Sequence, residues 1–184
     1  MISSAQYAKL KIIIYKCAVY SIALFLLGIL QVTFFAKINV LSAVPDLLLA
    51  AIVLLSMREE HKISSVCALV SGVFYCSLGG AEYPLYIIFS FLIGYVMWIV
   101  AERSFGRGYR SFLALCAIAF LAKSGFNLAY SSLFSSRFAL FRDIVNIVLP
   151  EFISSMLFCS ISYVIFAPLS ALINKRSKKG ASNI

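Results

Sequence analysis

Positively charged residues crowd into alternate gaps between the long apolar stretches of this chain. Twelve of its 16 lysines and arginines fall into four such groups. The groups are Lys9, Lys11 and Lys16; Arg58 and Lys62; Arg103, Arg107 and Arg110; and Lys175, Arg176, Lys178 and Lys179. Because short cytoplasmic loops of membrane proteins retain Lys and Arg during insertion, this alternation predicts a membrane protein with both termini in the cytoplasm.

The apolar stretches themselves predict the number of helices. Hydrophobic residues make up 62% of the 184 residues, and a membrane-spanning helix needs a predominantly apolar run of about 20 residues. The sequence therefore predicts an all-α membrane protein, with residues 1–184 forming one domain of six transmembrane helices. The approximate helices are 17–36, 41–57, 63–78, 84–101, 111–134 and 147–173.

The stretch before the last of these helices is open to two interpretations. Phe138, Phe141, Val145 and Val148 recur at a spacing of three and four residues. This pattern is typical of an amphipathic helix lying on the outer membrane surface, here from Arg137 to Leu149. The same residues also fit an extended start to the last transmembrane helix.

The net charge of +9 indicates lipids rather than nucleic acid as a partner. Patches that bind nucleic acid lie on a polar protein surface, and the sequence predicts no domain with such a surface. Basic residues at the inner ends of apolar segments favour anionic lipid headgroups instead. Anionic lipids are therefore a predicted partner, and nucleic acid is not.

The sequence offers little support for enzyme chemistry. Its one histidine, His61, stands in a charged turn, and its five cysteines lie singly in apolar segments without a C-x-x-C pair. Neither the spacing of zinc ligands nor a glycine loop for phosphate occurs in it. We therefore predict a protein that is not an enzyme, with no catalytic residues, no metal and no cofactor.

Small residues recur at every fourth position of the third segment, as Ser64, Ala68, Gly72, Cys76 and Gly80. Membrane helices use such stripes to bring their backbones close, because dispersion replaces the hydrophobic effect between them. Packing within the bundle is the favoured interpretation, and a seam for a partner helix is the alternative.

Lys123 is the most unusual single residue, because it lies in the middle of an apolar segment. Asn127 follows one turn along on the same helix face. A cation at the bilayer centre costs at least about 2.5 kcal/mol. Lys123 either snorkels toward the outer surface or, as our hypothesis states, points into the bundle and pairs with Asp46 or Glu151.

Several short motifs, taken in order along the chain, point to a known family. They are Leu30-Gln31, the loop 39–44 followed by Pro45-Asp46-Leu47-Leu48-Leu49, Gly72, Gly94-Tyr95, and Ile147-Val148-Leu149-Pro150. Together with the basic tail, they resemble the rod shape-determining protein MreD family over nearly the whole chain. Cys76 is a departure, because that family often has an aspartate four residues after the glycine.

This resemblance implies a non-enzymatic, multi-pass subunit of the bacterial elongation machinery in the cell membrane. Proteins of that family bind the bitopic protein MreC and help connect cytoplasmic MreB filaments with the RodA glycosyltransferase and its transpeptidase partner. Their six-helix fold is similar to the substrate-binding subunits of energy-coupling-factor vitamin transporters. The resemblance also implies a contribution to docking from Gln31, Pro45 and Asp46, at the outer ends of the first two segments.

The same similarity of fold leaves a second function open. A small-molecule-binding subunit of a vitamin-type transporter would use a cavity lined by Lys123, Asn127 and the outer acids. It would carry a bound metabolite and associate with a coupling ATPase, whereas a scaffold would bind an MreC-like protein and be needed for rod shape. The residues around Pro45 and Asp46 favour the scaffold.

Overall fold

A computed structural model of the protein describes residues 4–35, 37, 44–79, 85–104, 106, 108–134 and 144–181. Six α-helices form most of this described part, and no strand occurs in it. They are α1 (Ser4–Leu30), α2 (Leu47–Arg58), α3 (His61–Ser77), α4 (Leu85–Ser104), α5 (Tyr109–Phe134) and α6 (Leu149–Ala181). One π-helical turn, Gln31–Phe35, extends α1, and another, Ile144–Val148, leads into α6. The all-α class predicted from the sequence is confirmed.

Four of these helices are long and apolar enough to cross a membrane. Their candidate spans are Leu10–Phe35, Leu85–Arg103, Tyr109–Leu133 and Leu149–Lys175. With 12 residues, α2 is only about 18 Å long and falls short of a hydrocarbon core of roughly 30 Å. With 17 residues, α3 is also shorter than the four spans. The described residues therefore form a membrane protein with four candidate spans, and six complete crossings stay a prediction.

Three helix boundaries differ from the predicted ones. α1 begins at Ser4 rather than near residue 17, and α6 continues to Ala181 rather than ending near residue 173. The added turns of both helices contain lysines, which interrupt an apolar run but are good helix formers. α2 begins at Leu47 rather than near residue 41, because Asp46 caps its first turn.

The proposed surface helix between the last two segments lies mostly outside the described residues, since 135–143 are not among them. Its described end, Ile144–Val148, continues directly into α6. In this part of the chain, the last helix therefore has an extended start.

α2 is the centre of the bundle and contacts α1, α3, α4, α5 and α6. Every residue from Leu47 to Met57 is buried. The stretch from Leu47 to Leu55 contains no polar residue, and a helix that is hydrophobic on all sides belongs in a protein interior. Polar groups can therefore reach this core only near the two ends of α2.

The stripe of small residues on α3 packs against α4. A Cβ added to Gly94 of α4 would lie 2.6 Å from the Cβ of Ala68, and one added to Gly72 would lie 2.1 Å from Ser90 Oγ. The hydroxyl of Ser64 donates to the Gly94 carbonyl at 3.1 Å. The part of the stripe from Ser64 to Gly72 therefore packs inside the bundle, which is the interpretation favoured from the sequence. Gly80 lies outside the described residues.

Candidate functional site

Asp46 gathers polar groups from four helices at the start of α2. Its carboxylate accepts hydrogen bonds from the backbone amide of Leu49 at 2.9 Å and from Lys123 Nζ at 2.6 Å. The Tyr86 hydroxyl of α4 lies 3.4 Å from Oδ2, and the Asp46 amide donates to Ser155 Oγ of α6 at 3.0 Å. Asp46 is 1% exposed, so hydrogen bonds from protein groups, rather than from bulk water, stabilise its carboxylate.

Lys123 of α5 bridges two carboxylates. Its Nζ lies 2.6 Å from Asp46 Oδ2 and 2.7 Å from Glu151 Oε1. The lysine side chain is 10% exposed and that of Asp46 is 1% exposed, so Lys123 points into the bundle and does not snorkel. The sequence left the choice between the two acids open, and the structure pairs Lys123 with both.

Gln31 completes the arrangement from the first turn of the π-helical extension of α1. Its side-chain Oε1 accepts a hydrogen bond from the amide of Leu48 at 2.9 Å, and its Nε2 donates to the Tyr75 hydroxyl of α3 at 3.3 Å. The first amides of a helix have no partner within the helix. Gln31 and Asp46 thus satisfy two of these amides, at Leu48 and Leu49, in a place that water does not reach.

We call this group the Asp46 cluster, and its members come from all six helices or their extensions. They are Gln31, Asp46, Tyr75, Tyr86, Lys123, Glu151 and Ser155. Charge-assisted hydrogen bonds of this kind are short and strong. Their combined effect is to fix the positions of the helices relative to one another at this end of α2.

The other residues singled out from the sequence lie beside the Asp46 cluster or elsewhere. Pro45 is buried immediately before Asp46, and Asn127 is half-buried one turn after Lys123. The stripe of small residues belongs to the α3–α4 contact instead. In it, Cys76 is half-buried near the end of α3. The structure therefore brings Gln31, Asp46, Lys123 and Glu151 together and keeps the stripe apart from them.

The space beside Lys123 is small. It has no volume open even to a molecule the size of water, whereas sites for drug-sized ligands usually exceed about 300 Å³. It is lined by Phe120, Lys123, Ser124, Glu151, Phe152 and Ser155. The Asp46 cluster is consequently a packed polar connection rather than an open binding chamber.

A second polar cluster, which sequence reasoning missed, surrounds Glu59 at the other end of α2. The Glu59 carboxylate accepts hydrogen bonds from Lys16 Nζ at 2.8 Å, Tyr20 Oη at 2.6 Å and Asn174 Nδ2 at 2.9 Å. Lys16 also donates to the side chain of Asn174. The Glu59 side chain is 2% exposed, so it is not a solvated turn residue. We call Lys16, Tyr20, Glu59 and Asn174 the Glu59 cluster.

Arg58 adds a further connection next to the Glu59 cluster. Its guanidinium donates to the carbonyl of Ala167 at 2.8 Å and to Ser170 Oγ at 3.0 Å. The same group lies 5.6 Å from the centre of the Tyr163 ring, within the range of a cation–π interaction. Arg58 therefore fastens the end of α2 to α6. From the sequence alone, Arg58 is predicted only as a basic residue of a cytoplasmic loop.

No family model matches the chain, and neither a curated protein nor a solved structure matches it. The Asp46 cluster, the Glu59 cluster and Arg58 beside it hold charged groups in a fixed arrangement within the described structure.

Proposed function

We propose that this protein is a non-enzymatic scaffold subunit of the bacterial cell-elongation machinery, resembling MreD. The observation that carries the proposal is the convergence of Gln31 and Asp46 on the first turn of α2. These two residues belong to the motifs that carry the resemblance, and both are buried in the bundle rather than solvated in a loop. Their contacts with Lys123 and Glu151 give that stretch a structural task, which is to hold the bundle in one arrangement.

Rigidity is what such a scaffold needs. A buried ion pair gives little net stability, because desolvation of the charges offsets their attraction, but it can specify one geometry over others. With Lys123 on two acids at one end of α2 and Lys16 on Glu59 at the other, the surrounding helices have little freedom to slide. A rigid bundle presents constant outer faces, and membrane helices associate through close-packed faces of this kind.

The proposed partners follow from the resemblance. An MreC-like bitopic protein would pack its single helix against the bundle, and a RodA-type glycosyltransferase with its transpeptidase would join the same assembly. In the proposed topology six helices cross the bacterial cell membrane and both termini are cytoplasmic, since the basic groups mark the inner side. The Glu59 cluster then lies toward the cytoplasm and the Asp46 cluster toward the outside.

The alternative, a small-molecule-binding subunit of a transporter, has less support. A substrate site needs groups that are free to bind, whereas the charge of Lys123 is already matched by Asp46 and Glu151. The space beside it has no volume open even to a water-sized molecule, which leaves no room for a vitamin. Both observations favour the scaffold.

A depletion experiment tests the proposal. In a rod-shaped bacterium that carries this gene, loss of the protein should produce round cells, and the wild-type gene should restore the rods. Asp46→Ala should fail to restore them, while Lys37→Gln, which changes an exposed residue, should succeed. Purification in mild detergent should recover an MreC-like protein. Normal rods after depletion, together with a bound metabolite and an ATPase in the purified material, would establish the transporter instead.

A further inference from the structure

An open cleft lies beside the Glu59 cluster, at the end of the bundle opposite the Asp46 cluster. Its volume is about 470 Å³, and a neighbouring depression of about 170 Å³ shares Glu59, Trp98 and Glu102 with it. It is much larger than the cavity beside Lys123.

The basic groups in the cleft wall are already engaged. Lys16 is paired with Glu59 at 2.8 Å, and Arg58 donates to the Ala167 carbonyl and to Ser170. These cations have partners within the protein, so they are poorly suited to hold an added anion. The cleft is therefore not a phosphate site despite the positive charge of the chain.

Two carboxylates in the same wall have no such partner. Glu60 precedes α3 as its N-cap residue but makes no side-chain capping bond, and Glu102 stands near the end of α4. Both are exposed and line the cleft. Neither forms an ion pair with any residue in the described part of the chain. Among its Lys, Arg and Glu side chains, the cleft wall carries three carboxylates against two cations, which is a net charge of −1.

Trp98 and His61 line the cleft together with the two acids. The rings of Trp98 in α4 and His61 in α3 are in contact, with centres 4.8 Å apart and planes tilted by 50°. The centre of the Tyr95 ring lies 6.4 Å from that of His61. An electron-rich indole face next to carboxylates is the environment that binds guanidinium and ammonium groups, through cation–π attraction and charge-assisted hydrogen bonds.

We infer that this cleft is a docking site for a basic side chain, arginine above all, on a peptide segment of a partner protein. Arginine fits better than a compact ammonium ion, because its planar guanidinium can lie on Trp98 while donating to Glu60 or Glu102. The cleft is also large enough for an extended side chain with its flanking backbone. The inference concerns a different end of the bundle from the one that carries the scaffold proposal, and it can fail while that proposal stands.

The single tryptophan of the chain provides the measurement, because Trp98 is the only fluorescent indole. The intact protein in detergent micelles is titrated at low ionic strength with N-acetyl-Gly-Arg-Arg-Gly-amide while Trp98 emission is recorded. Saturable change in emission is expected, and it should weaken as salt screens the exposed acids. The peptide with glutamate in place of arginine, inorganic phosphate and phosphoethanolamine serve as the comparison probes.

The variant Glu60→Gln/Glu102→Gln should bind the arginine peptide at least about tenfold more weakly. Arg103→Gln, an exposed neighbour outside the cleft, should bind it at least as well as the wild type. Unchanged thermal unfolding of the double variant would show that folding is intact. Trp98→Phe, followed by calorimetry, should also weaken binding. Equal affinity of wild type and double variant, or an equal response to the glutamate peptide, phosphate or phosphoethanolamine, would overturn the inference.

Discussion

Asp46 and Glu59 lie at opposite ends of one buried helix, and each accepts a lysine from a different neighbouring helix. Lys123 of α5 reaches Asp46, and Lys16 of α1 reaches Glu59. The two acids are separated by the length of α2, or about 20 Å at the rise of an α-helix. An ion pair therefore connects each end of α2 to a neighbouring helix, with the apolar core between the two pairs.

Removal of Lys123 should strongly destabilise the bundle. Lys123→Met leaves Asp46 and Glu151 facing each other without their shared cation, and breaking a buried pair in this way typically costs about 3–5 kcal/mol. Unfolding in detergent micelles, followed by circular dichroism, measures the loss. Lys37→Met removes an exposed lysine and should stay within about 0.5 kcal/mol of the wild type. A Lys123→Met protein as stable as this control would contradict a structural role for the pairing.

Two substitutions at Asp46 should separate its capping role from its charge. Asparagine can cap a helix but cannot form the ion pair with Lys123, whereas alanine can do neither. Asp46→Ala should therefore be less stable than Asp46→Asn by about 1 kcal/mol, the usual effect of losing an N-cap. Chemical denaturation of both variants gives the difference. Equal stability would mean that the hydrogen bond to the Leu49 amide contributes nothing.

The Glu59 cluster gives a prediction for Tyr20. Its hydroxyl donates to Glu59 at 2.6 Å and is fully buried, so Tyr20→Phe should cost about 1.5–3 kcal/mol, as for hydrogen bonds to charged groups. The matched control is Tyr15→Phe, since Tyr15 is 43% exposed on the same helix. Thermal unfolding compares the two variants. If both substitutions lower the unfolding temperature to the same extent, the hydrogen bond from Tyr20 to Glu59 does not contribute to stability.

The close contact of α3 with α4 leads to a prediction for Gly94. Gly94→Ala would bring a methyl group to 2.6 Å from the Cβ of Ala68, and such overpacking costs about 1–3 kcal/mol. Ala68→Gly in the same protein should recover only part of that loss, because the new methyl group still lies 3.2 Å from the Ser64 carbonyl oxygen and glycine disfavours a helix interior. Gly125→Ala is the control, because nothing lies within 4 Å of the added Cβ and alanine favours a helix. Thermal unfolding should show a lower stability for Gly94→Ala, a partly restored stability for Gly94→Ala/Ala68→Gly and no loss for Gly125→Ala. If Gly94→Ala is as stable as the wild type, α4 lies further from α3 than described.

The helices of this fold could be predicted from the sequence, because a continuous run of apolar residues indicates a buried or membrane-spanning helix without any information about distant residues. The environment of Lys123 could be anticipated for a similar reason, since a lone cation in such a run needs an acid and few acids are available. The Glu59 cluster could not. Asn174 is 115 positions from Glu59, and Lys16 belongs to a basic group that the charge pattern assigns to the membrane surface. Only the folded bundle brings these residues together.

The short length of α2 has a consequence for how the protein is made. A 12-residue helix is too short to be released stably into lipid by itself, and every side of it is covered by other helices in the finished molecule. Its neighbours α4, α5 and α6 follow it in the chain, so the surroundings that bury α2 are complete only after the last helix has been synthesised. The central helix of the bundle is therefore translated early and enclosed late.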